Sequence, residues 1–209
     1  MKFNDDFKVA LSQLPSVEKD RLLWRLIKRD KLLARRLEFE LLAPYDAIDK
    51  RNELAELIRK EIAYFCERGW RLAEILTQCR GFSGDITRHV YVTKDKIGEV
   101  SLNFVLLIEA LDILNNPMYK FSWRTAQRYV NYMVNKLFRT CMLINKLHVD
   151  LHIELEDEAH KLGKIIGAND NLMKQMIRVM FDVNWLLELD IPEDIDKHYK
   201  EIRQQGFLR

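Results

Sequence analysis

Residues that interrupt regular secondary structure are scarce in this sequence, which has only seven Gly and four Pro among 209 residues. A fold with many β-strands needs turn formers at short intervals, so this scarcity argues against one. Disorder is also disfavoured, because 48% of the residues are apolar and can form a core. We therefore expect an all-α protein, either an irregular multi-helix bundle or an α-α superhelix.

Cysteine is sparse as well, and its three positions form no pattern. Cys66, Cys79 and Cys141 are odd in number and include no CxxC pair. This spacing argues against both a disulfide framework and a zinc site. All three are expected to be buried thiols.

Long hydrophobic runs are missing too. The most apolar segment, Leu102 to Leu114, is interrupted by Asn103, Glu109 and Asp112 and is shorter than the roughly 20 residues that a membrane span requires. We expect this segment to be core and the protein to make no membrane contact. The first residues, Met1 to Asp6, do not resemble a secretory signal, so the expected location is cytoplasmic.

The spacing of apolar residues predicts about eight helices in a single helical domain, residues 1–209, with possible lobes at 1–80 and 81–209. No repeat of fixed period supports a regular solenoid. Gly81 to Gly84 is expected to be a loop, with Ser83 capping the helix that follows. In two segments, 88–107 and 147–155, apolar and polar residues also alternate as they would in a β-strand. In both segments the helical interpretation is favoured.

Acidic residues are absent from the 37 residues between Ile113 and Val149, although the chain has 32 in all. Ser122 is a good N-cap for a helix here. At about 100° per residue, most of the bases lie within roughly 60° of one another, opposite an apolar face. This basic stripe consists of Arg124, Arg128, Lys136, Arg139 and Lys146.

The stripe predicts contact with the phosphates of a nucleic acid or with another anion. Tyr132 could stack on bases, as could Tyr119, Trp123 and Tyr129, and amides such as Asn135 could read base edges. The alternative is a solvated face, or one covered by acidic segments of the same fold. Acidic segments are available for such a contact, because charge is segregated along the chain. Residues 16–36 carry eight bases and three acids, whereas residues 182–201 carry seven acids and two lysines.

A metal site is a further alternative. His148, His152, Glu156 and His160 recur every four residues and would share a face if the helix continued through them, where they could bind a divalent transition metal. Solvent exposure of these side chains is the simpler interpretation.

The glycine motifs of nucleophilic and nucleotide-binding enzymes, GxSxG, GxxxxGK[ST] and GxGxxG, do not occur in the sequence. We therefore expect a non-enzymatic interaction module without a cofactor. A protein partner or a second copy of the chain is the first expectation, and it requires an exposed apolar patch. Nucleic-acid binding by the helix at 122–146 is the alternative, and it requires a stripe free of acidic partners. Binding of a metal by the histidines and carboxylate is the second alternative.

Overall fold

The computed structural model describes residues 4–42 and 47–208, and within these ranges every regular element is a helix. This confirms the all-α expectation. The helices that we number are α1 Asp5–Gln13, α2 Ser16–Ile27, α3 Lys31–Leu42, α4 Ala47–Glu67, α5 Leu72–Thr93, α6 Lys96–Asp112, α7 Trp123–Ile144, α8 Glu156–Gly167, α9 Asp170–Arg178, α10 Asn184–Leu187 and α11 Ile195–Gln204. Short 3₁₀ segments, Ile113–Asn115 and Val149–Leu155, follow α6 and precede α8.

Contacts between residues divide the chain into two units, which are described separately. One unit contains α1, α2 and α3 together with Tyr91–Thr93. In its three helices Phe39 is the only residue that is buried. Many of its large apolar side chains are exposed, among them Phe7, Val9, Val17, Leu23, Trp24, Leu26, Leu41 and Leu42. The three helices therefore lack a core of their own.

The other unit contains α4, most of α5 and every helix from α6 onward. It has a continuous core built around α6. Every residue from Leu102 to Ile108 is buried, because α4, α7 and α8 pack around this helix. Burial on all sides explains why the segment is the most apolar in the chain, as expected for core. Each fully buried Leu, Val or Phe side chain contributes about 1.5–3 kcal/mol.

Helix α7 is buried on one face, as its spacing predicts. The Ser122 hydroxyl accepts a hydrogen bond from the Thr125 N–H at 3.3 Å, which confirms the predicted N-cap. On the buried face the Tyr129 hydroxyl donates to the Ala110 carbonyl oxygen at 2.7 Å. The opposite face, which carries the basic stripe, is left at the surface.

The region 88–107 is helical, so the favoured interpretation is confirmed. Helix α5 ends at Thr93, and Lys94 takes a left-handed conformation with φ of 59°. Asp95 then caps α6 by accepting from the Gly98 N–H at 2.8 Å, and it pairs with Arg51 of α4 at 2.9 Å. These contacts fix a tight helix-to-helix connection where the sequence also allowed a hairpin.

Two local expectations are wrong. Gly81 to Gly84 is not a loop, because α5 runs through it without a break, and the Ser83 hydroxyl donates to the Cys79 carbonyl oxygen within the helix at 3.0 Å. The segment 147–155 is neither a strand nor a continuation of α7. Asn145 ends α7, the His148 side chain accepts from the Asp150 N–H, and a 3₁₀ segment follows.

Candidate functional site

Helices α5 and α7 contact each other near Ser83 and Tyr132, and both contribute residues to two surface cavities. The Ser83 and Tyr132 hydroxyl groups are hydrogen-bonded at 2.8 Å, and the Arg80 guanidinium lies 5.4 Å from the centre of the Tyr132 ring. Towards the start of both helices, Ala73 and Thr125 line one cavity. Towards their ends, α5 and α7 line a second one. We call the two cavities together the α5–α7 groove.

The second cavity, of about 420 Å³, collects positive charge. Its bases are Lys136 and Arg139 of α7 and Arg203 of α11, and Glu99 of α6 is its acidic residue. We call it the Lys136 cleft. The rest of its wall consists of the hydroxyl and amide side chains of Ser83, Thr87, Asn103, Tyr132, Asn135 and Thr140 and of the apolar side chains of Ile86, Leu143 and Leu208. A small cavity with three bases and one acid is suited to an anion.

Lys136 is the half-buried base of this cleft. Burial, together with the nearby charge of Arg139, lowers the pKa of its amine to about 8, while Cys79 and Glu99 oppose the shift. Within residues 4–42 and 47–208, neither Lys136 nor Arg139 forms an ion pair with an acidic side chain. The fold therefore brings a cation into a cleft whose one acid, Glu99, does not form an ion pair with it.

The rest of the basic stripe lies at the surface. Arg124, Arg128 and Lys146 are exposed, and they too have no ion pair with the acidic side chains that the structure describes. Two other exposed arginines of the same unit do form ion pairs, Arg71 with Glu74 and Arg88 with Asp85, whereas Arg80 and Arg203 form none with the described acids. Among the described residues, the acidic segments of the chain do not cover the stripe.

The amides beside the stripe are engaged inside the fold. Asn135 accepts a hydrogen bond from the Tyr199 hydroxyl at 2.9 Å and donates to the Asn131 carbonyl oxygen, so it connects α7 to α11. Gln127 donates to the Asn131 side chain at 2.9 Å. Tyr129 is fully buried, which removes it from the side chains that could stack on a base. Tyr132 is half-buried and borders the groove.

The first cavity, of about 910 Å³, is lined by aromatic and apolar side chains. Tyr119 and Phe121 have ring centroids 6.2 Å apart, and the Tyr119 hydroxyl donates to the Trp70 carbonyl oxygen. Trp70 itself stacks on Phe65 with a centroid distance of 4.5 Å. Met118 is 85% exposed at the mouth. We call this cavity the aromatic pocket.

Sequence reasoning missed this pocket, apart from Tyr119. Trp70 and Phe121 are about 50 positions apart, and they meet because Gly69 ends α4 in a left-handed conformation with φ of 66°. That turn places Trp70 against the loop before α7, where Asn116 also donates to the Cys66 sulfur at 3.6 Å. The acid-free stretch holding Tyr119 and Phe121 was the only signal in the sequence.

The four residues of the expected metal site are separated. His148 precedes the 3₁₀ segment and pairs with Asp150, while the ring of His152 contacts the Ile144 carbonyl oxygen at 3.2 Å. Glu156 begins α8, where His160 contacts the Leu187 carbonyl oxygen at 3.2 Å. The shared helical face that the metal hypothesis needed does not form. No cluster of three metal-ligating side chains occurs among the residues that the structure describes.

The cysteines are free thiols where the structure describes them. Burial raises the pKa of both Cys79 and Cys141 to about 12. Cys66 is only half-buried, which corrects the expectation for that residue, and burial still raises the pKa of its thiol. Reactive thiolates are not favoured at any of these positions.

Comparison with protein-family models, curated proteins and solved structures finds no match to this chain. In the described part of the chain, no helix combines the length and the apolar character needed to cross a bilayer.

Proposed function

We propose that this protein is a non-enzymatic helical module that binds nucleic acid through the basic face of α7. The observation that carries the proposal is the half-buried Lys136, which shares its cleft with two arginines and forms no ion pair with the described acids. Removing a cation from water without a counter-ion is unfavourable. A bound phosphate would supply that counter-ion.

The length of the stripe favours a polymer over a small anion. Arg124 and Arg139 are 15 positions apart on α7, which at 1.5 Å per residue corresponds to roughly 22 Å along the helix axis. Arg128 lies between them on the same exposed face, and Lys146 follows the end of the helix. A row of bases of this length can contact several phosphates, and each contact releases condensed counterions.

The chemistry of the groove supports binding over catalysis. Neither the Lys136 cleft nor the aromatic pocket is lined by a histidine. The Ser83 hydroxyl, which lies in the cleft, is hydrogen-bonded to Tyr132 and to the Cys79 carbonyl oxygen and not to Lys136, so it has no hydrogen-bonded base to activate it.

The test is fluorescence anisotropy of labelled oligonucleotides over a salt series, with the wild-type chain and Arg124→Glu/Arg128→Glu. A matched control is Arg21→Glu/Arg25→Glu, which reverses two exposed arginines at the same spacing on α2 and changes the net charge equally. We expect at least a tenfold loss of affinity for the α7 variant and less than a twofold loss for the control. Equal losses, or no binding by the wild type at low salt, would overturn the proposal.

A second candidate is self-association through α1, α2 and α3, which also fits the first expectation from the sequence. The supporting observation is their exposed apolar surface, where Trp24 is 64% and Leu23 is 54% exposed. The matching surface on a second copy is the segment 182–201, whose seven acids oppose the eight bases of residues 16–36. Six of the seven acids, all except Asp196, are exposed.

Sedimentation equilibrium at low and high salt tests this candidate. We expect a dimer that weakens in high salt and in the variant Leu23→Glu/Trp24→Glu, since one change screens the charges and the other disrupts the apolar contact. A monomer at all concentrations and salts would contradict it.

A further inference from the structure

The α5–α7 groove holds two different cavities, one aromatic and one basic, and this pairing narrows the kind of nucleic acid that fits. We infer that the groove takes a single strand, with a base stacked in the aromatic pocket and the backbone phosphates at the Lys136 cleft. This inference rests on the proposed nucleic-acid function and adds the form of the ligand.

The spacing of the two cavities matches a short stretch of backbone. Thr125 lines the aromatic pocket and Lys136 lines the cleft. These residues are 11 positions apart on α7, which corresponds to roughly 16 Å along the helix axis. A strand advances about 3.4 Å per nucleotide within a duplex. At that rise about five nucleotides connect a base in the pocket to a phosphate in the cleft, and a more extended single strand needs fewer.

The aromatic pocket requires a base whose flat face is accessible. In a duplex the faces are covered by neighbouring base pairs, and only the edges are presented. Unpaired bases can be splayed out and stacked on aromatic rings. Phe121 is half-buried and Met118 is 85% exposed at the mouth, so the pocket opens to solvent. Lys120 and Arg71 add positive charge to its wall, and Glu67 adds negative charge.

The groove has little means of reading sequence. Asn135 is held between Tyr199 and the α7 backbone, and Gln127 is hydrogen-bonded to Asn131. Because these amides are already engaged, recognition rests on stacking and on phosphate contacts, which every base sequence offers. Single strands of different sequence are expected to bind with similar affinity.

The experiment compares anisotropy titrations of a mixed-sequence single strand with those of a hairpin duplex of the same composition. The variants are Phe121→Leu, which keeps apolar volume but removes the ring, and Phe121→Tyr, which keeps the ring. Trp24→Ala removes an exposed aromatic residue from α2 and serves as the matched control. Circular dichroism melting verifies that each variant is folded.

We expect the wild-type protein to bind the single strand at least tenfold more tightly than the duplex. Phe121→Leu should lower the affinity for the single strand about tenfold and leave the affinity for the duplex unchanged. Phe121→Tyr and Trp24→Ala should stay within twofold of the wild type. If strand and duplex bind equally and both depend on Arg124 and Arg128, nucleic-acid binding stands and the single-strand inference fails. Absence of binding to either ligand overturns both.

Discussion

The two most basic segments of the chain, α2–α3 and α7, have different surroundings. In α2–α3 the bases are carried by helices with one buried residue, Phe39. In α7 the bases stand on a helix with half of its residues buried, and one of them, Lys136, lines a cleft built by four helices. The number of positive charges does not distinguish the two segments. They differ in whether a hydrophobic core lies beneath the charges, and this matters because only a fixed backbone can hold several bases around one anion.

The absence of ion pairs does not distinguish α2–α3 from α7 either. Arg21, Arg25 and Lys28 of the first segment form no ion pair with the described acids, as is true of Arg124 and Arg128. Side chains that are fully exposed keep their hydration and need no counter-ion. Lys136 is half-buried, so the loss of hydration favours a bound anion there.

The largest expected difference between the two segments is in stability. Leu107→Ala removes a fully buried side chain from α6 and should lower the free energy of unfolding by about 2–5 kcal/mol. Leu23→Ala removes an exposed side chain from α2 and should change it by less than about 0.5 kcal/mol. Urea unfolding followed by circular dichroism measures both. A large effect of Leu23→Ala would mean that α2 contributes to a core after all.

The next effect concerns the cleft itself. Lys136→Glu should weaken oligonucleotide binding by about 100-fold, because it replaces an attractive charge with a repulsive one beside Glu99. Lys28→Glu is an equal charge reversal on an exposed residue after α2. It should lower the affinity for the oligonucleotide by less than about twofold. Lys136→Met removes the charge without repulsion and should give an intermediate loss. Anisotropy at fixed salt measures all three, and similar losses for Lys28→Glu and Lys136→Glu would erase the distinction between the segments.

A pH series examines the same lysine without changing the charge of other bases. The pKa of Lys136 is lowered to about 8 in the free protein, and a bound phosphate should raise it. Affinity should therefore be highest below pH 8 and fall by up to about tenfold per pH unit above it. Phosphodiesters do not titrate in this range. The Lys136→Met variant should show no such fall, and a fall that persists in it would assign the titration to another group.

The smallest expected effect tests whether the amides of α7 read bases. Tyr199→Phe removes the hydroxyl that donates to Asn135 and should cost about 1 kcal/mol of unfolding free energy. Oligonucleotide affinity should change by less than twofold, because Asn135 supports the fold rather than the ligand. A change in preference among base sequences, measured by competition titrations, would show that the amide contacts bases.

Several features could be predicted from the sequence because they depend on neighbouring residues. The helical class follows from few turn formers, the cap at Ser122 from its hydroxyl, and the exposure of the stripe from the apolar residues opposite it. Gly81 and Gly84 were misleading, since each costs a helix only about 1 kcal/mol. Burial of Cys79, Phe82 and Ile86 on the same helix offsets that cost.

The cavities could not be predicted, because they join residues far apart in the sequence. The Lys136 cleft combines Ser83, Glu99 and Arg203, which come from different helices. The segment 147–155 was ambiguous for a different reason. Its leucines satisfy both a two-residue and a four-residue spacing, and the end of α7 at Asn145 is decided by local hydrogen bonds.

Photo-crosslinking of a single strand that contains 4-thiouridine, followed by mass spectrometry, tests most directly whether the groove of α5 and α7 is the binding surface. If the groove binds the strand, crosslinks form at Tyr119, Phe121 and Tyr132, which line it, and they are lost in Lys136→Glu. Crosslinks concentrated at Trp24 and the neighbouring residues of α2 would contradict it, since they would place the ligand outside the groove.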